Sequence, residues 1–138
     1  MKTDNNIRSY IKENEARFLD ELFSLIRIPS ISAEPAHKAD MLQCAERWRE
    51  LLIAAGVDHA EVMPSAGNPL VFAEKHVDDD APTVLVYGHY DVMPVDPLEL
   101  WLSVPFEPEV RDERIFARGA DDDKGQSFIQ LKAFEYLV

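Results

Sequence analysis

The sequence predicts an α/β fold, a sheet with helices packed on it, and three patterns carry that prediction. Apolar residues recur twice at helical spacing before Gly56. The run Val84-Leu85-Val86-Tyr87 is apolar throughout, as strands buried on both faces of an α/β sheet are. A last amphipathic pattern begins at Lys124, directly after a cluster of aspartates.

Taken in order, Ile7, Ile11, Phe18, Leu22 and Leu25 share one face of a first helix. Asn5 or Asn6 is placed to cap its start, and Pro29 stops it. A loop over residues 29–35 leads to a second helix over residues 37–55, with Met41, Ala45, Trp48, Leu52 and Ala55 as its buried stripe. Gly56 stands where a left-handed C-terminal cap is wanted. Amphipathic helices of this kind cover a sheet rather than stand alone. Residues 57–63 and 70–76 read as short strands around a Pro-Ser-Gly-Asn loop, and residues 77–82 as an acidic turn. Residues 83–87 form the buried strand, and residues 107–110 and 114–117 a hairpin around Asp112-Glu113. The helix from Lys124 buries Phe128, Leu131, Phe134 and Val138. It meets no glycine, asparagine or proline stop before Val138, which predicts a chain cut short.

Composition narrows the function classes. With 138 residues, 46% apolar and 29% charged, the chain suits one soluble domain with a real core. No apolar run approaches the roughly 20 residues of a membrane span, and the start lacks the apolar stretch of a signal peptide. Cys44 is the one cysteine, so no internal disulfide forms and a cytoplasmic location is expected. A net charge of -12 speaks against nucleic acid or an anionic membrane as partner.

Two clusters carry chemistry. His89 follows the apolar strand, at the end where open α/β sheets gather ligands, and imidazole is a common zinc ligand. Asp91, two residues on, can accept the other ring N–H of His89 or act as a ligand itself. By itself a His-x-Asp also fits a plain surface loop. Asp121-Asp122-Asp123 before a helix fits N-terminal capping, yet three adjacent carboxylates exceed a cap's needs and repel one another unless a cation is near. Arg118 and Lys124 offer the alternative of a structural salt network. Ser30 and Ser32 lack the glycines of a nucleophile elbow, Cys44 lies on a helix stripe, and His37, His59 and His76 have no partner spacing.

As a pair the clusters are specific. Residues 84–95, then Trp101 and Pro105-Phe106, then Arg118-Gly119-Ala120-Asp121-Asp122-Asp123-Lys124-Gly125-Gln126 closely resemble the co-catalytic zinc peptidase family. That family holds carnosinase-like dipeptidases, carboxypeptidase G, aminoacylase, acetylornithine deacetylase and succinyl-diaminopimelate desuccinylase. The Gly-His-Tyr-Asp-Val form and the Asp-Asp-Lys-Gly form look most like the dipeptidase branch, and Ile28-Pro29-Ser30-Ile31-Ser32 is also similar.

The resemblance implies the N-terminal portion of a three-layer α/β/α catalytic domain, a mixed sheet with flanking helices, over residues 1–138. It implies two divalent metal ions, zinc first and manganese or cobalt as alternatives. His89 matches a metal ligand, Asp91 the carboxylate that orients it, and Asp122 the bridging ligand. Asp121 falls at a variable position, and the peptide bond between Asp122 and Asp123 is implied to be cis. The general-base glutamate, the further ligands and the lid domain with its dimer contacts have no counterpart here, and Glu135 is too close to Lys124 to stand in. The implied activity is metal-dependent hydrolysis of dipeptides or short peptides, by a homodimer when complete and not by these residues alone. An N-acyl amino acid deacylase and a non-catalytic binding module are the alternatives. An incomplete sheet would also leave an exposed apolar edge and helix face.

Overall fold

Helix α1 runs from Lys2 to Ile26, earlier at its start than the sequence suggests, so Asn5 and Asn6 lie inside it rather than at a cap. The structure, a computed structural model, describes residues 2–138, with side chains from Asn5 onward. Past Ile26 the last turn tightens, Arg27 N–H donating to Phe23 O at 3.0 Å and Ile28 N–H to Leu25 O at 3.2 Å, before Pro29 ends it. Only the second half of the predicted stripe is covered: Leu22 and Leu25 are buried, whereas Ile7 and Ile11 are exposed. Over that first half the end of α3 reaches Tyr10, through Tyr136 and Glu135, and leaves Ile7 and Ile11 uncovered.

A short 3-10 turn, Pro35–His37, feeds helix α2, Lys38–Ala54. Met41, Ala45, Trp48 and Ala55 of its predicted stripe are buried, Leu52 is only partly so, and Cys44 and Leu51 join them. Gly56 takes φ +98, the left-handed conformation that lets the chain reverse into the next strand. Strands β1, His59–Met63, and β2, Leu70–Glu74, form an antiparallel pair with Glu61 opposite Phe72, and α2 packs against both. Strands β3, Glu109–Arg111, and β4, Arg114–Phe116, form the expected hairpin. Asp112 and Glu113 both have positive φ, the turn geometry that matches strand twist. Helix α3, Lys124–Leu137, lies along α1 and buries Phe128 and Leu131, while Val138 stays exposed.

The core is therefore mainly helical. Leu22, Leu25 and Ile26 of α1 meet Cys44, Trp48 and Leu51 of α2 and Phe128 and Leu131 of α3. Burying each large aliphatic or aromatic side chain here contributes about 1.5–3 kcal/mol.

One predicted element does not form. Residues 83–87 are not a strand, and Val84, Leu85, Val86 and Tyr87 are 81%, 90%, 61% and 81% exposed. A strand needs partners for its backbone groups and cover for its faces. Among the described residues none runs beside this segment until Val92, which makes a parallel bridge with Ile31. The rest of the exposed apolar surface includes Ile129 and Leu137 of α3. Among the described residues no helix is long and apolar enough to cross a membrane.

Candidate metal centre

The site forms where three stretches meet: residues 28–32 after α1, residues 88–92, and the loop that opens α3. The first contact is backbone. Val92 N–H donates to Ser30 O at 2.9 Å, so residues 30–31 run alongside residues 91–92. Ser30, fully buried, donates its hydroxyl to Tyr90 O at 2.6 Å. Alternation along the extended chain then puts the next serine on the same side. Ser32 Oγ donates to Asp91 Oδ2.

His89 is held at three points. Its Nδ1 lies 3.0 Å from Asp91 Oδ1 and 3.2 Å from Asp91 O. Its Nε2 lies 3.1 Å from Asp122 Oδ1. Its backbone N–H donates to Asp123 Oδ2 at 2.9 Å, and that oxygen also accepts from Ser127 Oγ at 2.6 Å. The peptide between Asp122 and Asp123 is cis, as the resemblance implies. Burial pulls the His89 pKa down, but the Asp91 backbone and carboxylate, with Asp123, outweigh it and raise the pKa above the ordinary histidine value. Both ring nitrogens thus face carboxylate oxygen, the arrangement that favours a positive charge between them.

Two glycines make the approach possible. A Cβ at Gly88 would stand 2.0 Å from Ser127 Oγ and 2.9 Å from Asp123 Oδ2. A Cβ at Gly125 would stand 1.9 Å from Ala120 O. A side chain at Gly125 would force the loop backbone to move, and one at Gly88 would force the Ser127 and Asp123 side chains out of place.

The two basic neighbours do not neutralise the aspartates. Arg118 donates to Pro94 O at 3.0 Å and lies over the Trp101 ring, whose Nε1–H donates to Val95 O. Lys124 turns inward, fully buried, and its Nζ donates to Leu25 O at 2.9 Å and Ile28 O at 2.7 Å. It caps the carbonyl end of α1, where a cation is favoured. Burial lowers its pKa, against the raising influence of Cys44 and Asp91. The salt-network alternative for Asp121-Asp122-Asp123 therefore lacks its cations.

The structure brings together His89, Asp91 and Asp122, all named from sequence, and leaves Asp121 beside Trp101 and Arg111 in a separate surface groove. Sequence reasoning missed Ser32, Asp123 and Ser127 as site neighbours. The signal for Ser32 was its alternation with Ser30 after the helix stop. The other histidines pair with nearby acids: His37 with Asp40, His59 with Glu61 and His76 with Asp79.

The donor set fits a divalent cation in part. An imidazole whose Nδ1 is engaged by a carboxylate presents Nε2 as the donor, and Asp122 supplies hard oxygen next to it. Among the described residues no three His, Cys, Asp or Glu side chains group as a complete site.

Residues 85–138 match the model of peptidase family M20/M25/M40. A cysteinylglycine-S-conjugate dipeptidase of Corynebacterium striatum is 35% identical over 125 residues, 90% of this chain and 27% of that protein. A succinyl-diaminopimelate desuccinylase of Paraburkholderia xenovorans is 36% identical over 101 residues, 72% of this chain and 25% of that protein. The crystal structure of human carnosine dipeptidase 1 superposes with TM-score 0.85 at 25% identity, covering 95% of this chain and 30% of that one. The chain thus spans 25% to 30% of the length of these three proteins. Motif, fold and relatives agree: the chain belongs to peptidase family M20/M25/M40.

Proposed function

We propose that this chain supplies part of the active site of a metal-dependent dipeptidase, with His89 and Asp122 as metal ligands and Asp91 orienting His89. The observation that supports it most is the setting of the His89 ring, with Nδ1 against Asp91 and Nε2 beside Asp122 across 33 residues of sequence. A relative named as a dipeptidase and a dipeptidase as structural neighbour favour dipeptides as substrate.

A bound divalent cation supplies Lewis acidity, polarising a scissile carbonyl and acidifying water. The residues here do the holding. Asp91 keeps the imidazole proton on Nδ1, which leaves the Nε2 lone pair for the metal. The Asp122 side chain is 81% exposed and lies beside His89 Nε2, so its carboxylate would be free to serve as a ligand. Zinc is the ion we favour, with manganese or cobalt compatible with the same donors. Each zinc needs about three or four ligands, more than His89 and Asp122 provide. We therefore assign the remaining ligands, the general-base glutamate, and a lid domain that also makes a homodimer to sequence other than these 138 residues. The buried free Cys44 suits a reducing compartment, and we assign the protein to the cytoplasm.

The test is hydrolysis of free dipeptides and of N-acyl amino acids, with zinc or manganese added, by these 138 residues and by the full product of the gene. We expect only the full product to act, on dipeptides, and His89→Ala or Asp122→Ala to abolish it. Activity that survives His89→Ala would overturn the assignment. Preference for N-acyl substrates would install the deacylase reading, which the desuccinylase relative favours. Hydrolysis of neither class would leave the non-catalytic binding module.

A further inference from the structure

Asp91 holds the Nδ1 side of the His89 ring, through its carbonyl and its carboxylate, but nothing in its own backbone fixes that carboxylate. The terminal torsion of an aspartate is broad and roughly two-fold, so a carboxylate with one partner can turn and exchange its oxygens. Asp91 is also only half-buried, its side chain 38% exposed, so packing alone does not lock it. What engages the second oxygen is Ser32: its hydroxyl donates to Asp91 Oδ2 while Oδ1 faces His89 Nδ1. Each oxygen of Asp91 thus has its own partner, and the carboxylate plane is defined by two directions.

We propose that Ser32 is a positioning residue of the metal centre, acting through Asp91 to hold the His89 imidazole with Nε2 toward Asp122. This rests on the metal-site reading above. Ser32 touches neither His89 nor Asp122. Its own place is secured by the parallel bridge of Ile31 with Val92, by Val92 N–H on Ser30 O, and by the buried Ser30 hydroxyl on Tyr90 O. Ser30 reaches Tyr90 O and the Cys44 side chain, so it holds the segment against α2; Ser32 reaches the carboxylate, so it holds the ring. The two serines divide the work, and that division makes the proposal testable. Without the Ser32 hydroxyl, Asp91 loses a hydrogen bond to its charged form and gains freedom to turn, and the Nδ1–H tautomer of His89 loses the nearer of its two acceptors, Oδ1 at 3.0 Å, and keeps Asp91 O at 3.2 Å.

The experiment compares Ser32→Ala, Ser32→Thr, Ser30→Ala and His89→Ala in the protein by two readouts. One is zinc affinity, by competition with a chromophoric chelator. The other is the tautomer of the neutral His89 ring in the metal-free protein, from its ring nitrogen resonances. Ser32→Ala is expected to weaken zinc binding by about tenfold, the low end for partners of metal ligands, and to shift His89 away from the Nδ1–H tautomer. Ser32→Thr, which keeps the hydroxyl, should restore both. Ser30→Ala should lower the urea midpoint and leave the tautomer in place. A Ser32→Ala protein with parental tautomer and zinc affinity, while His89→Ala loses zinc, overturns the role of Ser32 alone. Parental zinc affinity in His89→Ala overturns the metal site, and this proposal with it. If Ser32→Ala fails to fold, Ser32→Thr decides: a tautomer shift despite native fold and a retained hydroxyl bond also counts against the proposal.

Discussion

Replacing Glu135 by glutamine should remove an acid-sensitive tie between α1 and α3. Glu135 sits at the far end of α3 with its side chain 14% exposed. Its Oε1 accepts from Tyr10 Oη at 2.8 Å and from Arg17 Nη2, and its Oε2 accepts from Lys132 Nζ at 2.5 Å and Arg17 Nη1 at 3.3 Å. Burial by itself would raise the Glu135 pKa, but the bonds from Arg17, Lys132 and Tyr10 outweigh it and hold it down, from the ordinary 4.5 to about 2. A carboxyl with a lowered pKa in the fold stabilises when ionised. Its contribution is complete above 4.5 and is lost as the pH falls through about 2. At about 1.4 kcal/mol per pH unit this is at most about 3 kcal/mol, and screening at the 43% exposed Arg17 side chain brings it to about 2 kcal/mol. The raised pKa of Arg17 reports the same contact and adds nothing further. The assay is urea unfolding at neutral pH and at a series of acid values. Glu135→Gln should be less stable by about 2 kcal/mol at neutral pH, with the gap to the parent closing in acid. Curves that stay parallel down to the acid limit would refute the reasoning.

Other perturbations read out the site and the core. Gly88→Ala sets a methyl group 2.0 Å from Ser127 Oγ, so the bond from His89 N–H to Asp123 should be lost. Zinc affinity should drop about tenfold or more, and Ser127→Ala should restore part of it in a chelator competition. Lys124→Met takes the ammonium donor from Leu25 O and Ile28 O, which keep only the N–H groups of Ile28 and Ser30. It should cost about 2 kcal/mol in urea, the lost bonds being offset in part by relief from burying an ammonium. Cys44 is fully buried, and burial raises its thiol pKa against the lowering influence of Lys124. It should resist a thiol reagent in the folded protein and react at once in urea. The exposed row of residues 84–87 should drive self-association of the 138-residue chain, and Leu85→Lys should shift its sedimentation toward monomer.

The helices were legible because a helix answers mainly to its own sequence. The stripe from Met41 to Ala55, the Gly56 cap and the Asp112-Glu113 turn all stand where spacing and turn chemistry put them. The strand over residues 83–87 was not, because a strand exists only against a partner, and the pattern Val84-Leu85-Val86-Tyr87 names no partner. Lys124 misled in another way. A lysine beside three aspartates reads as their counterion, yet its long stem carries the charge inward to the end of α1. His89, Asp91 and Asp122 were legible as a motif, whereas the alternation of Ser30 and Ser32 marks a shared side but does not name the partner, Asp91, 59 residues away in sequence.

α1 and α3 are thus joined at both ends, by the Glu135 cluster at one and by Lys124 at the other, and only the second join reaches the site. Lys124 binds the two carbonyls that close α1, and the next residues, 29–32, are those that hold Tyr90 and Asp91. Lys124 also follows Asp122 and Asp123 directly, so this buried side chain, together with the bond from His89 N–H to Asp123, ties the segment carrying His89 to the loop carrying Asp122. Loss of the Glu135 cluster should then lower stability without changing zinc affinity in the folded population. Loss of Lys124 should lower both, because no other described hydrogen bond links the start of α3 to the end of α1. Equal losses of zinc affinity in the two variants would mean that the site follows global stability, and that the anchoring by Lys124 is not local.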